Sequence, residues 1–147
     1  GPKVDNLAKE GKATIKLPIT QLDSLDFSFS GIKTAVLNLN HKDPNINKAD
    51  LCASFEKTTT EVLIENTLKA TKITGLSKVV LAGGVSANSY IRAEFEKMGK
   101  ENNIEVYFPE LKLCTDNAAM IAAAGYYNFM EGKRGNLDLN AIPNLKL

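Results

Sequence analysis

Residues 78 to 92 read KVVLAGGVSANSYIR, and the change of character along this stretch decides the fold class. Lys78 to Ala82 is short, rich in branched side chains and closed by Gly83 and Gly84, the pattern of a buried strand. Beyond the glycines, Ala87, Ile91, Phe95 and Met98 fall on one helical face, with Arg92, Glu94 and Lys97 turned outward. Asn102-Asn103 then makes a turn, Ile104, Val106 and Phe108 alternate as another strand, and Pro109 closes it. Strand, helix, strand and a further helix in succession imply an α/β fold.

Upstream, Phe27 and Phe29 alternate with Ser28 and Ser30 in DFSFSG, the period of two expected of a half-buried strand that ends at Gly31. Ala13 to Leu17 (ATIKL) is its candidate hairpin partner. From Ile32 the sequence turns helical until the Asp43-Pro44-Asn45 cluster breaks it. Leu51, Phe55, Val62, Asn66 and Ile73 then keep an approximate three-to-four spacing from about Asn47 to Gly75. At about 1.5 Å per residue that helix spans roughly 40 Å, enough to back a sheet.

The segment CTDNAAMIAAAGYYNFMEGK carries no charge between Asp116 and Glu131, the composition of a helix buried on most sides. Thr115 is its expected N-cap, with Asp116 and Asn117 in the first turn and Gly132 as its stop. The tail LDLNAIPNLKL either docks as an irregular strand or stays loose.

Composition narrows the function classes. A chain of 147 residues has the size of a single domain, 1–147, and should bury about 70% of its unfolded surface. The apolar share of 44% and charged share of 24% are those of an ordinary globular protein. Eighteen basic and 17 acidic side chains give a net charge of +1 with no long run of one sign, so nothing in the sequence advertises a polyanion grip. Cys52 and Cys114 lie far apart without CxxC spacing; reduced thiols and a cytoplasmic location are expected. No apolar run reaches the roughly 18 residues of a membrane helix, so no membrane partner is expected.

Two helix starts are candidates for chemistry. At Gly83-Gly84 the missing side chains would let a ligand approach the backbone, and the amides of Val85 to Asn88 could face an anion. The alternative is a plain strand-to-helix connection capped by Ser86. The pattern is not GxGxxG, although Glu110 follows the next strand as a ribose-binding acid might in a Rossmann half-domain, a weaker alternative. At the second start, Asp116 either complements the helix dipole, the usual role of such a residue, or supplies one ligand to a divalent cation. His41 sits in a polar loop and reads as solvated. Neither a complete zinc protease nor a nucleophilic hydrolase can be assembled from these residues.

DFSFSGIKTA (Asp26 to Ala35), LAGGVSANSYIR (Leu81 to Arg92) and LCTDNAAMIAAAG (Leu113 to Gly125), in this order and spacing, resemble the C-terminal half of the tRNA threonylcarbamoyladenosine transferase family, long labelled O-sialoglycoprotein endopeptidases. GPKVDNLAKEG (Gly1 to Gly11) resembles the segment after that family's Gly-Gly-Pro turn, so the likeness runs nearly end to end. The resemblance implies a ribonuclease-H-like domain of the actin-like ATPase fold, the C-terminal half of a two-domain protein with a nucleotide cleft. It further implies transfer of a threonylcarbamoyl group from threonylcarbamoyl-adenylate to the exocyclic amine of the adenosine beside the anticodon. Asn88, Gly83 and Gly84 would then meet the adenine nucleotide, and Gly1 and Asp5 would line the substrate site. Asp116 would bind an iron or zinc ion whose histidine ligands belong to the N-terminal half, absent from this sequence. No residue is assigned as catalytic. Implied partners are tRNA and the companion modification proteins, a paralogous subunit and an ATPase subunit; the fragment alone would be inactive. A non-catalytic scaffold module of that complex, and the metallo-endopeptidase of the old label, are the alternatives.

Overall fold

The computed structural model describes residues 1–20, 22–138 and 140, which form two compact units, Gly1–Cys114 and Thr115–Leu147. In the first unit, α1 (Pro2–Ala8), α2 (Ser30–Lys42), α3 (Lys48–Thr74) and α4 (Ser89–Asn102) accompany two short strands, β1 (Lys78–Val80) and β2 (Glu105–Tyr107). The second unit contains α5 (Ala118–Met130). The α/β reading is borne out.

Helix α3 starts and stops at the residues that signal it in the sequence. Asn47 is the N-cap, its side chain accepting from the amides of Ala49 and Asp50, and Gly75 ends the helix at φ 69°. That left-handed conformation is the one glycine tolerates best at a helix end. Helices α1, α2 and α4 all pack on α3, so its burial wraps around the helix instead of following one stripe. Leu51 and Val62 are buried, and so are Ser54, Glu56, Thr58 and Thr60. Ser54 Oγ donates to Asp50 O at 2.7 Å, the back-bonding that lets a hydroxyl sit inside a helical core. Ile73, expected inward, is 73% exposed near the C-terminal end.

The strands pair in parallel, Lys78 with Glu105, Val79 with Val106 and Val80 with Tyr107. Between them α4 buries Ile91, Phe95 and Met98 against Leu63, Ile64 and Leu68 of α3 and against Leu81, Ile104, Val106 and Phe108. Thus α3 meets the crossover helix, and the expectation that it backs a sheet directly gives way to helix on helix. Asn103 makes the expected turn at φ 55°. Gly99 is required by packing: a Cβ there would stand 2.7 Å from Ile104 O and 2.8 Å from Val106 Cγ2. Val80 is 71% exposed, so β1 is a strand as expected but is not buried on both faces.

Several expectations fail for identifiable reasons. Asp26 to Phe29 is no strand: Asn66 Nδ2 of α3 donates to Asp26 O at 3.0 Å and Leu25 O at 3.3 Å, where a strand would offer those carbonyls to a ladder. The alternation survives only as Phe27 and Phe29 stacking on one another, centroids 5.8 Å apart, and Gly31 lies inside α2. Ala13 to Leu17 is likewise no hairpin partner; Ile15 N–H donates to Ser54 Oγ of α3 at 3.0 Å. His41 belongs to the last turn of α2 and is exposed.

Helix α5 is capped by Asn117, not Thr115; Asn117 Oδ1 accepts from Met120 N–H at 3.1 Å. Asp116 therefore precedes the cap, outside the first turn. Gly132, at φ 77°, follows the helix as expected. Every residue of α5 is exposed, against the expectation of a helix buried on most sides. Composition records what a helix can bury, not whether a covering surface is at hand among the described residues. The expected docking of the tail falls on Leu139 and residues 141–147, which lie outside the described residues.

Candidate functional site

The connection from β1 to α4 is a short bend that turns on one glycine. Gly83 holds φ 84° and ψ 169°, a region open essentially to glycine alone. Gly84–Ala87 follow as one 3₁₀ turn. Its hydrogen bonds correct the anion-cradle expectation: Ser86 N–H donates to Gly83 O and Asn88 N–H to Val85 O, both at 3.0 Å, so these two amides are occupied within the turn. Ser86 is buried with its Oγ donating to Gly83 O at 2.7 Å, and the N-cap of α4 is Asn88.

Asn88 is doubly anchored. Its Oδ1 accepts from Ile91 N–H at 2.9 Å, the capping bond. Its Nδ2 donates to Glu56 Oε1 at 2.6 Å, reaching across to the middle of α3. Glu56 is only 5% exposed. Burial pushes its carboxyl above the ordinary value, opposed by the Asn88 hydrogen bond and reinforced by the negative charge of Asp5. The same burial, with Glu56 nearby, raises the Cys52 thiol.

Asp5 reaches the same corner from α1. Gly1 is the N-cap of that helix, its carbonyl accepting from Val4 N–H at 2.9 Å, and Pro2 occupies the first helical position. Asp5 Oδ1 accepts from Ser89 Oγ at 2.7 Å, and Lys9 Nζ stands 3.6 Å from Asp5 Oδ2. Asp5, Glu56, Ser89 and Tyr90 line a cleft of about 350 Å³ whose floor is made of small residues, Ala8, Gly11, Ala53 and Ala93. Gly11 allows that closeness, since a Cβ on it would fall 2.2 Å from the Ala49 backbone. Chemically the corner offers the Asp5 carboxylate, the Ser89 hydroxyl and the Asn88 amide with one N–H to spare, a set suited to hydroxyls and amines of a polar ligand, while the buried Glu56 carboxylate is engaged by Asn88.

Arg92, expected to point outward, is folded back under the bend. Its Nε donates to Ser86 O at 2.6 Å and its Nη2 to Pro109 O at 2.8 Å, while its guanidinium sits 5.0 Å from the Phe108 ring centroid. Nη2 also lies 3.1 Å from the buried Cys114 Sγ. One planar cation thus ties the bend to the end of β2. Glu110, weighed as a ribose ligand, is exposed and paired with Lys112 at 2.8 Å.

Among the residues expected at a site, the fold brings Asp5 to Ser89, the neighbour of Asn88, and keeps Gly83 and Gly84 one turn away in the same connection; Gly1 caps the helix bearing Asp5. Asp116 belongs to the second unit and is exposed. Among the described residues no three His, Cys, Asp or Glu side chains come together as a metal site. No helix among them is long and apolar enough to cross a membrane.

A family model described as tRNA N6-adenosine threonylcarbamoyltransferase matches residues 1–123. The chain belongs to this family. Curated proteins of that name include one from Clostridium kluyveri, 49% identical over 155 residues, covering all of this chain and 46% of that protein. One from Clostridium botulinum strain Hall is 50% identical over 154 residues, with 45% of it covered, and one from Carboxydothermus hydrogenoformans is 49% identical over 149 residues. The chain spans about half the length of these threonylcarbamoyltransferases. The matched residues include every candidate named above, Asp116 among them.

Three side chains of the corner escaped the sequence reading. Ser89 and Arg92 lie within the quoted motif, but their partners are 84 and 17 residues away. For Glu56 a signal did exist: Cys52, Glu56 and Thr60, at i, i+4 and i+8, run a polar line through the middle of a long helix.

Proposed function

We propose that this chain is the nucleotide-facing, C-terminal half of a tRNA N6-adenosine threonylcarbamoyltransferase, a ribonuclease-H-like domain of the actin-like ATPase fold. In the reaction the exocyclic amine of a tRNA adenosine attacks the carbamoyl carbon of threonylcarbamoyl-adenylate. The bond from that carbon to the phosphate oxygen breaks, AMP leaves and the amine gives up a proton. The chain's own share is to bind and orient the adenylate, converting an encounter into a positioned attack. Gly83 leaves the backbone bare for close approach, and Asn88 offers its remaining amide N–H to the nucleotide. Asp5, held by Ser89 beside Asn88, adds its carboxylate from α1.

The observation that carries this reading is the meeting of α1 and the start of α4 through Asp5 and Ser89, inside the stretch the family model matches. Asp116 would give one carboxylate to an iron or zinc ion whose other ligands come from outside this chain, and no step of the transfer is assigned to that ion. Transfer to tRNA would take place in the cytoplasm with the paralogous and ATPase companion proteins.

The test is AMP binding by the full-length protein against its Asn88→Ser variant. Serine keeps an oxygen for the cap of α4 but loses the amide. Weaker AMP binding by a variant that still folds and melts cooperatively, at a temperature lowered only by the loss of the Asn88–Glu56 hydrogen bond, supports the assignment; unchanged binding removes Asn88 from the site.

A further inference from the structure

Asn88 can present its amide to a ligand in only one orientation, and one of the two groups that impose it lies on another helix. A side-chain amide has one acceptor oxygen and two N–H donors. Here the oxygen is taken by Ile91 N–H at 2.9 Å and one N–H by Glu56 Oε1 at 2.6 Å. Rotating the amide by half a turn would set oxygen against the Glu56 carboxylate and N–H against the Ile91 amide. Both partners therefore select the same arrangement, and one N–H of known direction remains.

Glu56 is poorly explained as a stabilising residue. It is 5% exposed at the centre of α3, where burial and the charge of Asp5 raise its carboxyl against the opposing Asn88 hydrogen bond, Lys9 and the amino terminus. An apolar side chain of similar volume would fill that space without burying an acid. What the carboxylate does, and an apolar side chain would not, is accept from Asn88.

We propose that Glu56 is a positioning residue for nucleotide binding: through its hydrogen bond it locks the Asn88 amide, 32 residues away in sequence, with one N–H directed at the adenylate. The inference rests on the reading that Asn88 meets the nucleotide. It makes Glu56 act through Asn88 and not by touching the ligand.

The experiment is AMP titration of the full-length protein in four variants, Glu56→Ala, Glu56→Gln, Asn88→Ser and the double variant Glu56→Ala with Asn88→Ser, with thermal melting of each. A lost orienting hydrogen bond predicts AMP binding about three- to tenfold weaker in Glu56→Ala. Glu56→Gln, which keeps the acceptor oxygen, should bind like the wild type, and the double variant should bind no worse than Asn88→Ser. Glu56→Met, of similar length and without an acceptor, replaces Glu56→Ala if the smaller side chain prevents folding. Wild-type binding in Glu56→Ala beside a weakened Asn88→Ser overturns the positioning role and leaves the nucleotide assignment standing. Wild-type binding in both overturns the assignment itself. Failure of Gln to rescue, or additive losses in the double variant, overturns action through Asn88.

Discussion

Ser89 Oγ donates to Asp5 Oδ1 at 2.7 Å across 84 residues of sequence, fastening the first helix of the chain to the first turn of α4. This bond closes the corner in which the candidate nucleotide site lies. It also couples charge, since Asp5 raises the Glu56 carboxyl.

Removing that fastening should have a modest structural and a specific electrostatic effect. Ser89→Ala should lower unfolding free energy by about 1 to 2 kcal/mol, because the partner is a charged acceptor. Asp5→Ala should lower the Glu56 pKa toward its ordinary value, which a carboxyl-detected NMR titration would record. A Glu56 titration unmoved by Asp5→Ala would contradict the coupling.

The buried acid makes stability depend on pH. The Glu56 carboxyl is raised from 4.5, so between that value and its folded value the native state keeps a proton that the unfolded chain has released. Stability contributed by this group must then fall as pH rises through that window, and the destabilisation persists above it. Glu56→Gln should be more stable than wild type in urea at neutral pH, with the gap closing below 4.5. A gap that stays constant with pH would mean the carboxyl is not raised.

Two glycines should fail differently. At Gly83 a Cβ meets open space, so Gly83→Ala is opposed only by backbone strain at φ 84°, about 1 to 3 kcal/mol. At Gly99 the Cβ would press on Ile104 O and Val106, so Gly99→Ala should cost more and loosen the packing of α4 on β2. Chemical denaturation ranks the two; equal losses would contradict the account of Gly99.

Arg92→Lys should not substitute for arginine, because an ammonium cannot reach Ser86 O and Pro109 O in the planar fork that guanidinium uses. The expected loss is about 1 to 3 kcal/mol, with faster hydrogen exchange at the amides of Ser86 and Asn88. Slow exchange retained in the lysine variant would show that the bend holds itself.

What the sequence made legible is what local chemistry decides. Asn47 and Gly75 bound α3 because capping and left-handed turns depend on a residue and its near neighbours. The strand, bend and helix of residues 78 to 102 were legible for the same reason. Phe27 and Phe29 misled because alternation reports which way side chains point, not whether a neighbouring strand exists to pair with; Asn66 took those carbonyls instead. Ser86 and Thr115 were each a plausible cap, and Asn88 and Asn117 displaced them at positions where the turn geometry favoured the later residue. The motif carrying Asn88 could be found, but its link to Glu56 could not, since a hydrogen bond between distant helices leaves no periodicity. Family membership reached Asp116 by motif alone, with no cluster of ligands around it among the described residues.

The central claim is tested most directly by supplying the full-length protein with threonylcarbamoyl-adenylate, unmodified tRNA and its companion proteins, and measuring modified adenosine by mass spectrometry. The account predicts threonylcarbamoyladenosine formed in equal amount with AMP, and loss of both products in Asn88→Ser protein that still folds. Full product from that variant, or no product from the wild type in the complete mixture, would contradict it.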